Sequence, residues 1–395
     1  MRSSPGTTRR LLLDELMRNG PSHRADLARR LRVSRTTVTN LVNDFVAADL
    51  MNAEDPGEGE AQLKHPISLS RRSGMIGSVV LRHDSCTSAL GTWDGSFTKV
   101  ESTELTAEMT ADDRLEIAHG QLLDIMDTHG IAAGDVHRIH LAINTQCDKT
   151  TGEVVTPSGH GLWDGSNPRT IAEGWGLGAV DVENSARLMG LAEHFALSAP
   201  RPEHTLYVHM SWGVTLAHIV GGQLISGAHG GAGEIGHMTI DHRGLPCACG
   251  GRGCLMQYVS LGALQPRLEA VLSTSLATTA DITEAWAGDT PASRMIVSDV
   301  GEILGTALAG VCNLLNPTRI ILGGEVAAAG EGLRSAVERS LLIHALPLTA
   351  RSLQVTLGAS QPDPTTVCTA GLALTRSHEA FRAEGLEAIL ERMAS

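Results

Sequence analysis

Residues 230–238 read Gly230-Gly231-Ala232-Gly233-Glu234-Ile235-Gly236-His237-Met238, and after residues 239–246 the chain continues Cys247-Ala248-Cys249-Gly250-Gly251-Arg252-Gly253-Cys254. Three cysteines within one short stretch, separated by glycines that permit a tight loop, have the spacing of metal ligands rather than of disulfide partners. His237 supplies a fourth donor, and three thiolates with one imidazole make a closed structural zinc set. Free buried thiols are the alternative, which the clustering disfavours. The other four of the seven cysteines, Cys86, Cys147, Cys312 and Cys368, are scattered and read as small core residues.

On either side of this block the pattern is alternating α/β. Apolar alternation marks strands over Ile76–Val80 and Cys86–Leu90, with a turn at Trp93-Asp94-Gly95-Ser96. A helix is predicted over Ala111–His129 and a strand over Arg138–Ile143. A second series begins with strands at Thr205–Met210 and Val214–Val220, turns at Gly221-Gly222, and continues through long helical segments to short strands at 319–322 and 353–357. Two α/β lobes around a cleft follow from this order.

The first 50 residues differ in kind. Leu11, Leu12, Glu15 and Leu16 lie at helical spacing, and Asn19-Gly20-Pro21 stops that helix. Ser22 is a candidate cap for a second helix carrying Leu27, Ala28 and Leu31. After a turn at Arg32-Val33, Ser34 can cap a third helix with Val38, Leu41, Val42 and Phe45 on its buried stripe. This is a helix-turn-helix order, and residues 51–66, rich in Gly, Glu and Pro, read as a wing or linker. Arg24, Ser34, Arg35, Thr36, Thr37, Thr39 and Asn40 are the candidate DNA contacts, since hydroxyls, amides and guanidinium groups near a helix N-terminus can meet phosphates and base edges in a major groove. Ser and Thr also start helices for purely structural reasons, so the whole pattern carries the reading.

Charge agrees with it. The chain has a net charge of −13, yet residues 1–50 hold nine Arg against five acidic residues, leaving −17 on the rest. A basic head on an acidic body suits a DNA-binding domain joined to something else, although a solvated basic surface would give the same count. No apolar run approaches bilayer length and no signal-peptide pattern opens the chain, so a cytoplasmic protein without membrane contact is expected.

The Gly-Glu-Ile-Gly-His block with its cysteines resembles the ROK family (repressors, open reading frames and sugar kinases), and the resemblance runs over nearly the whole chain, including the amino-terminal helix-turn-helix of the repressor branch. Ile321-Leu322-Gly323-Gly324-Glu325 looks like the family's late glycine motif near the adenosine of a nucleotide. The resemblance implies a winged helix-turn-helix over residues 1–70. It also implies a two-lobed actin-like (ribonuclease H-like) sugar-kinase fold over residues 71–395, with lobe one at about 71–190 plus the C-terminal helix and lobe two at about 191–374. Asn184, Glu234 and His237 match family positions that contact a sugar; for Glu234, holding the loop is the alternative role.

The chain departs from the kinase branch at the chemistry. Where that branch has an Asp-x-Gly-Gly-Thr phosphate loop, this chain reads Leu81-Arg82-His83-Asp84-Ser85-Cys86, and its second phosphate loop reads Met210-Ser211-Trp212-Gly213-Val214. Where the kinases have Asn-Asp, Glu183-Asn184-Ser185-Ala186 puts a hydroxyl in place of the carboxylate base. Met256 stands where a sugar-contacting Glu would be, and Pro157-Ser158-Gly159-His160-Gly161-Leu162-Trp163 replaces a Pro-Asn before the Trp. The sequence therefore reads as a regulator with no catalytic residues. It is expected to bind double-stranded operator DNA, to sense a small-molecule effector such as a sugar or sugar derivative, to hold structural zinc, and to act as a homodimer or dimer of dimers. The competing readings are a sugar kinase with a regulatory head and a ligand-independent DNA-binding protein with a vestigial cleft.

Overall fold

Leu12, Leu13, Leu16 and Met17 form one apolar helix face, and the computed structural model buries all four in α1 (Pro5–Asn19). The structure describes residues 5–52, 66–106, 108–154, 162–163, 166–198, 200–358 and 364–394. Of the four residues read at helical spacing, Leu12 and Leu16 are in this face, whereas Leu11 is exposed and Glu15 half-buried.

After α1 come α2 (Arg24–Leu31) and α3 (Arg35–Ala47). Arg32 ends α2 in the left-handed conformation at φ 55, with its N–H bonded back to the Ala28 and Arg29 carbonyls. Val38, Leu41, Val42 and Phe45 are buried as predicted. Ser22 does not cap α2; His23 holds that position, and Ser22 pairs its backbone with Ile67. Strand β1 (Met51–Asn52) pairs antiparallel with β2 (Ser68–Leu69), and the wing expected between them, over 53–65, lies outside the described residues.

A five-stranded sheet follows, built from β3 (Met75–Leu81), β4 (Ser85–Thr92), β5 (Phe97–Glu104), β6 (Val136–Ile143) and β7 (Ala179–Asn184) in the order β5-β4-β3-β6-β7. α4 (Ala111–His129) and α5 (Pro168–Glu173) interrupt it. α4 starts at a capping box between Thr110 and Asp113 and ends at Gly130. Every residue of β3 is buried, as a strand packed on both faces requires.

The second sheet takes β8 (His204–Met210), β9 (Val214–Val220), β10 (Gln223–Leu224), β11 (Arg319–Gly323) and β12 (Gln354–Leu357) in the order β10-β9-β8-β11-β12. Its helices are α6 (Ser185–Ala196), α7 (Met256–Val259), α8 (Leu261–Leu272), α9 (Thr279–Ala287), α10 (Pro291–Leu315), α11 (Glu331–His344) and α12 (Pro347–Ala350). By length and composition α10 could cross a bilayer, contrary to the expectation that no run could; 61% of its most apolar window is buried inside the protein, because it is the central helix of this core. The chain closes with α13 (Pro364–Ser377) and α14 (Glu379–Ala394).

These elements form two compact units, residues 1–144, 166–183 and 364–395, and residues 145–165 and 184–363. Three expected limits shift. Residues 145–165 belong with the second unit rather than with lobe one. α13 belongs with the first unit rather than with lobe two, and residues 1–70 are not a unit of their own. The reason is a shared core: Leu12, Leu16, Phe45 and Leu69 pack in one cluster with Trp93, Leu372, Leu386 and Ile389. Arg382, only 3% exposed, donates to Asp14 at 3.1 Å across this contact, and Arg10 reaches Glu387 at 2.7 Å.

Candidate functional site

Helix α3 presents one face to its own core and the other to solvent. Ser34 Oγ accepts from the Thr37 N–H at 3.0 Å and bonds the Thr37 hydroxyl at 2.8 Å, so these two residues close the cap. Arg35, Thr36, Thr37 and Asn40 are exposed, Thr39 and Arg24 half-buried. Four of the head's arginines are paired within it: Arg9 with Asp44, Arg18 with Asp14, Arg29 with Asp26, and Arg30 with Glu15. Arg24, Arg32 and Arg35 have no ion-pair partner among the described residues. All three lie on α2, α3 or the turn between them.

In the second unit the glycine-rich block is folded against β9. A Cβ on Gly233 (φ 96) would come within 1.9 Å of the Leu216 carbonyl oxygen, so only glycine permits the 2.7 Å bond from Leu216 N–H to the Gly233 carbonyl. This docking fixes a single 3-10 turn, Ile235–His237, with Glu234 at its start and His237 at its end. Glu234 Oε1 is buried and has no hydrogen-bond partner among the described residues. A buried acceptor left open in this way costs about 1–3 kcal/mol unless a ligand or water completes it.

At the other end, the donor atoms of His237, Cys247, Cys249 and Cys254 lie within 4.8 Å of one another. Cys249 Sγ and Cys254 Sγ are 3.7 Å apart, too far for a disulfide, and His237 Nδ1 is 3.6 Å from Cys247 Sγ. A tetrahedron with zinc–sulfur bonds of about 2.3 Å and a zinc–nitrogen bond of about 2.0 Å has edges of about 3.8 and 3.5 Å. The residues therefore fit the metal. Burial pushes the Cys247 and Cys254 thiols up; at Cys247 hydrogen bonds from Cys249, Gln257 and Cys254 outweigh it and hold the group down to about 6, whereas Cys254, facing the other two sulfurs, is pushed up to about 12. Cys86, Cys147, Cys312 and Cys368 are buried and form no disulfide, as expected for core residues.

Asn184 is 7% exposed and already works as a cap: its Oδ1 accepts from the Ala186 and Arg187 N–H groups at 2.9 and 3.3 Å, and its Nδ2 donates to the Thr145 carbonyl at 3.4 Å. Ser185 is the first residue of α6 and is also buried. The Trp212 indole donates to Thr279 at 3.2 Å, and both Trp212 and Met256 pack half-buried on the core of their unit. Ser158 and His160 lie outside the described residues.

Two arginines escaped the sequence reading. Arg187, 1% exposed, donates to the Ala232 carbonyl at 2.8 Å. Arg114, 3% exposed, donates to the His83 carbonyl at 3.1 Å and to Thr106 at 2.9 Å, drawing inward the loop between β3 and β4. Neither sits in a motif; each is an Arg within a helical pattern, whose burial only the fold reveals.

The two five-stranded sheets with their helices are an actin-like α/β body, here carrying a three-helix amino-terminal head. The chain belongs to the ROK family, whose model matches residues 100–362. It is 23% identical over 362 residues to the xylose repressor of Bacillus spizizenii, covering 89% of this chain and 92% of that one. A ROK family transcriptional regulator, described as a homolog of the E. coli MLC protein, superposes with a TM-score of 0.72 at 20% identity over 97% of this chain and all of the other. A ROK family glucokinase from Streptomyces griseus, solved with glucose and AMPPNP, has a TM-score of 0.61 at 20% identity over 77% of this chain and 100% of its own.

Proposed function

We propose that this chain is a DNA-binding transcriptional repressor controlled by a small-molecule effector. The observation that carries this is the row of exposed Arg35, Thr36, Thr37 and Asn40 on α3, next to the unpaired guanidinium groups of Arg24 and Arg32. Together with the antiparallel β1–β2 pairing, this supports a winged helix-turn-helix whose second helix enters a major groove. The likeness to a xylose repressor along most of both chains supports the same reading. Such heads read two-fold operators as dimers, so the working species is a homodimer or a dimer of dimers.

The effector is held by the second unit. Glu234 Oε1, without a partner among the described residues, is suited to accept from a hydroxyl, which favours a sugar or sugar derivative; His237 offers its remaining ring nitrogen, and Asn184 positions the start of α6. Zinc held by His237, Cys247, Cys249 and Cys254 is structural, since four protein donors leave no open position for chemistry. When bound it supplies rigidity to the turn that carries Glu234.

Phosphoryl transfer is not part of this reading. Ser185 lacks the acidity of a base, and the carbonyls of the β3–β4 loop are turned toward Arg114, leaving no glycine cradle of amides for a phosphate. The competing reading, a sugar kinase with a regulatory head, demands ATP turnover. Genomic selection with the purified protein followed by gel-shift titration tests the proposal: a specific operator whose affinity changes with one member of a sugar panel supports it, and absence of any specific site refutes it.

A further inference from the structure

His204 opens β8, and His218 lies two residues before the end of β9. In the antiparallel register Leu206 stands opposite His218, and His204 is two residues from Leu206. Side chains alternate along a strand, so both imidazoles lie on one face of the sheet as diagonal neighbours. Their ring centroids are 6.1 Å apart, with the planes inclined at 54°. The backbone beneath each is pinned. The His204 carbonyl accepts from the Thr318 N–H and hydroxyl, both at 3.1 Å, and the His218 carbonyl accepts from the Ile225 N–H at 2.8 Å.

Each ring has an unanswered nitrogen. His204 Nδ1 and His218 Nε2 are buried and have no hydrogen-bond partner among the described residues. On the opposite face of β8, by contrast, the Thr205 hydroxyl meets His194 Nδ1 at 3.0 Å. A buried ring nitrogen without a partner forfeits the bond it would make to water, and here two such groups are neighbours. Imidazole nitrogens are good donors to Ni2+, Cu2+ and Zn2+. A metal about 2.0–2.1 Å from a nitrogen lies roughly 3.2 Å from the centre of that ring, so two rings sharing one ion have centroids up to about 6.4 Å apart. The observed 6.1 Å is inside that limit. Among the described residues no third His, Cys, Asp or Glu donor joins the pair. The other coordination positions are then left to solvent, which makes such an ion exchangeable, unlike one enclosed by four protein donors.

We propose that His204 and His218 form a second metal site, separate from the cysteine cluster, that takes one exchangeable divalent ion of the late first-row class. The ladder of β8 and β9 sets the two rings, so the site is built on strands rather than on a loop. It is independent of the repressor reading and requires neither DNA nor effector.

The test uses Ni2+ and the full chain, prepared with zinc and freed of excess metal. Calorimetric titration of wild type should show one saturable Ni2+ per chain, and the zinc content should not change. His204→Gln and His218→Gln should each weaken that binding by roughly tenfold or more, since loss of even a residue behind a metal ligand costs about 10–100-fold. His229→Gln, at a side chain that is 78% exposed, should leave it unchanged. Circular dichroism checks that the variants keep their fold. The nickel X-ray absorption spectrum of wild type needs no variant and should show two imidazole rings and no sulfur. Wild type without saturable binding below about 1 mM Ni2+ overturns the proposal. Wild-type affinity in either histidine variant does so too, as does sulfur among the nickel ligands, which would place the ion on the cysteines instead.

Discussion

The guanidinium of Arg187 donates to the carbonyl of Ala232 at 2.8 Å, tying the first turn of α6, capped by Asn184, to the glycine block that carries Glu234. Two segments that the sequence marks separately as parts of a ligand site are thus held in one unit by a residue that is itself 1% exposed. Arg187→Met should lower stability by about 1–3 kcal/mol, because the partly buried Ala232 carbonyl loses a charged donor. Urea denaturation measures this, and the variant should also lose any effector-induced rise in Tm. A variant with wild-type stability and wild-type ligand response would show that the tie is dispensable.

Arg35→Ala should weaken operator binding by about 1–3 kcal/mol if the side chain reads a base, while Arg29→Ala, whose guanidinium is already paired with Asp26, should have a smaller effect. Gel-shift titrations at several salt concentrations separate the two. Binding should weaken steeply with salt, since each phosphate contact releases a counterion. Equal losses for Arg35 and Arg29 would mean that the head acts only through its total charge.

One zinc per chain is expected from elemental analysis of protein prepared without chelator. Cys249→Ser should remove the metal and lower Tm, since metal binding and folding of the loop share one free energy. The Cys249 side chain is exposed, so an effect of this substitution reports on the metal rather than on core packing. Stoichiometric zinc in Cys249→Ser would take this residue out of the ligand set.

No sugar phosphate should form with ATP and hexoses or amino sugars. Ser185→Asp alone should not restore turnover, because Trp212 and the loop drawn in by Arg114 still lack a place for the phosphates. A coupled assay that detected ATP-dependent product in the wild type would reverse the assignment of the body as a sensor.

Much of this was legible in the residues. The helix over Ala111–His129 is where the pattern placed it, because Thr110 and Gly130 mark its ends and period 3.6 marks its face. The Ser34 cap, the buried stripe of α3 and the gathering of His237 with three cysteines were equally plain, since each depends on spacing within one short segment. Ser22 misled because a cap requires the right backbone, and pairing with Ile67 takes that residue into a ribbon.

Sequence alone determined the helix or strand character of its strongly patterned segments, the clustering of a histidine with three cysteines that could hold a metal, and the absence of a carboxylate at position 185. These are local properties, set by residue type and by separations of a few positions. Only the tertiary structure decided which of the head's arginines are already neutralised, that α1 shares a core with α14 and so joins the head to the carboxyl terminus, that Glu234 keeps an oxygen unanswered among the described residues, and that Arg187 and Arg114 are buried. Those facts depend on residues up to 377 positions apart meeting in space. Partnering and burial are properties of the packed chain, and no periodicity in the sequence encodes them.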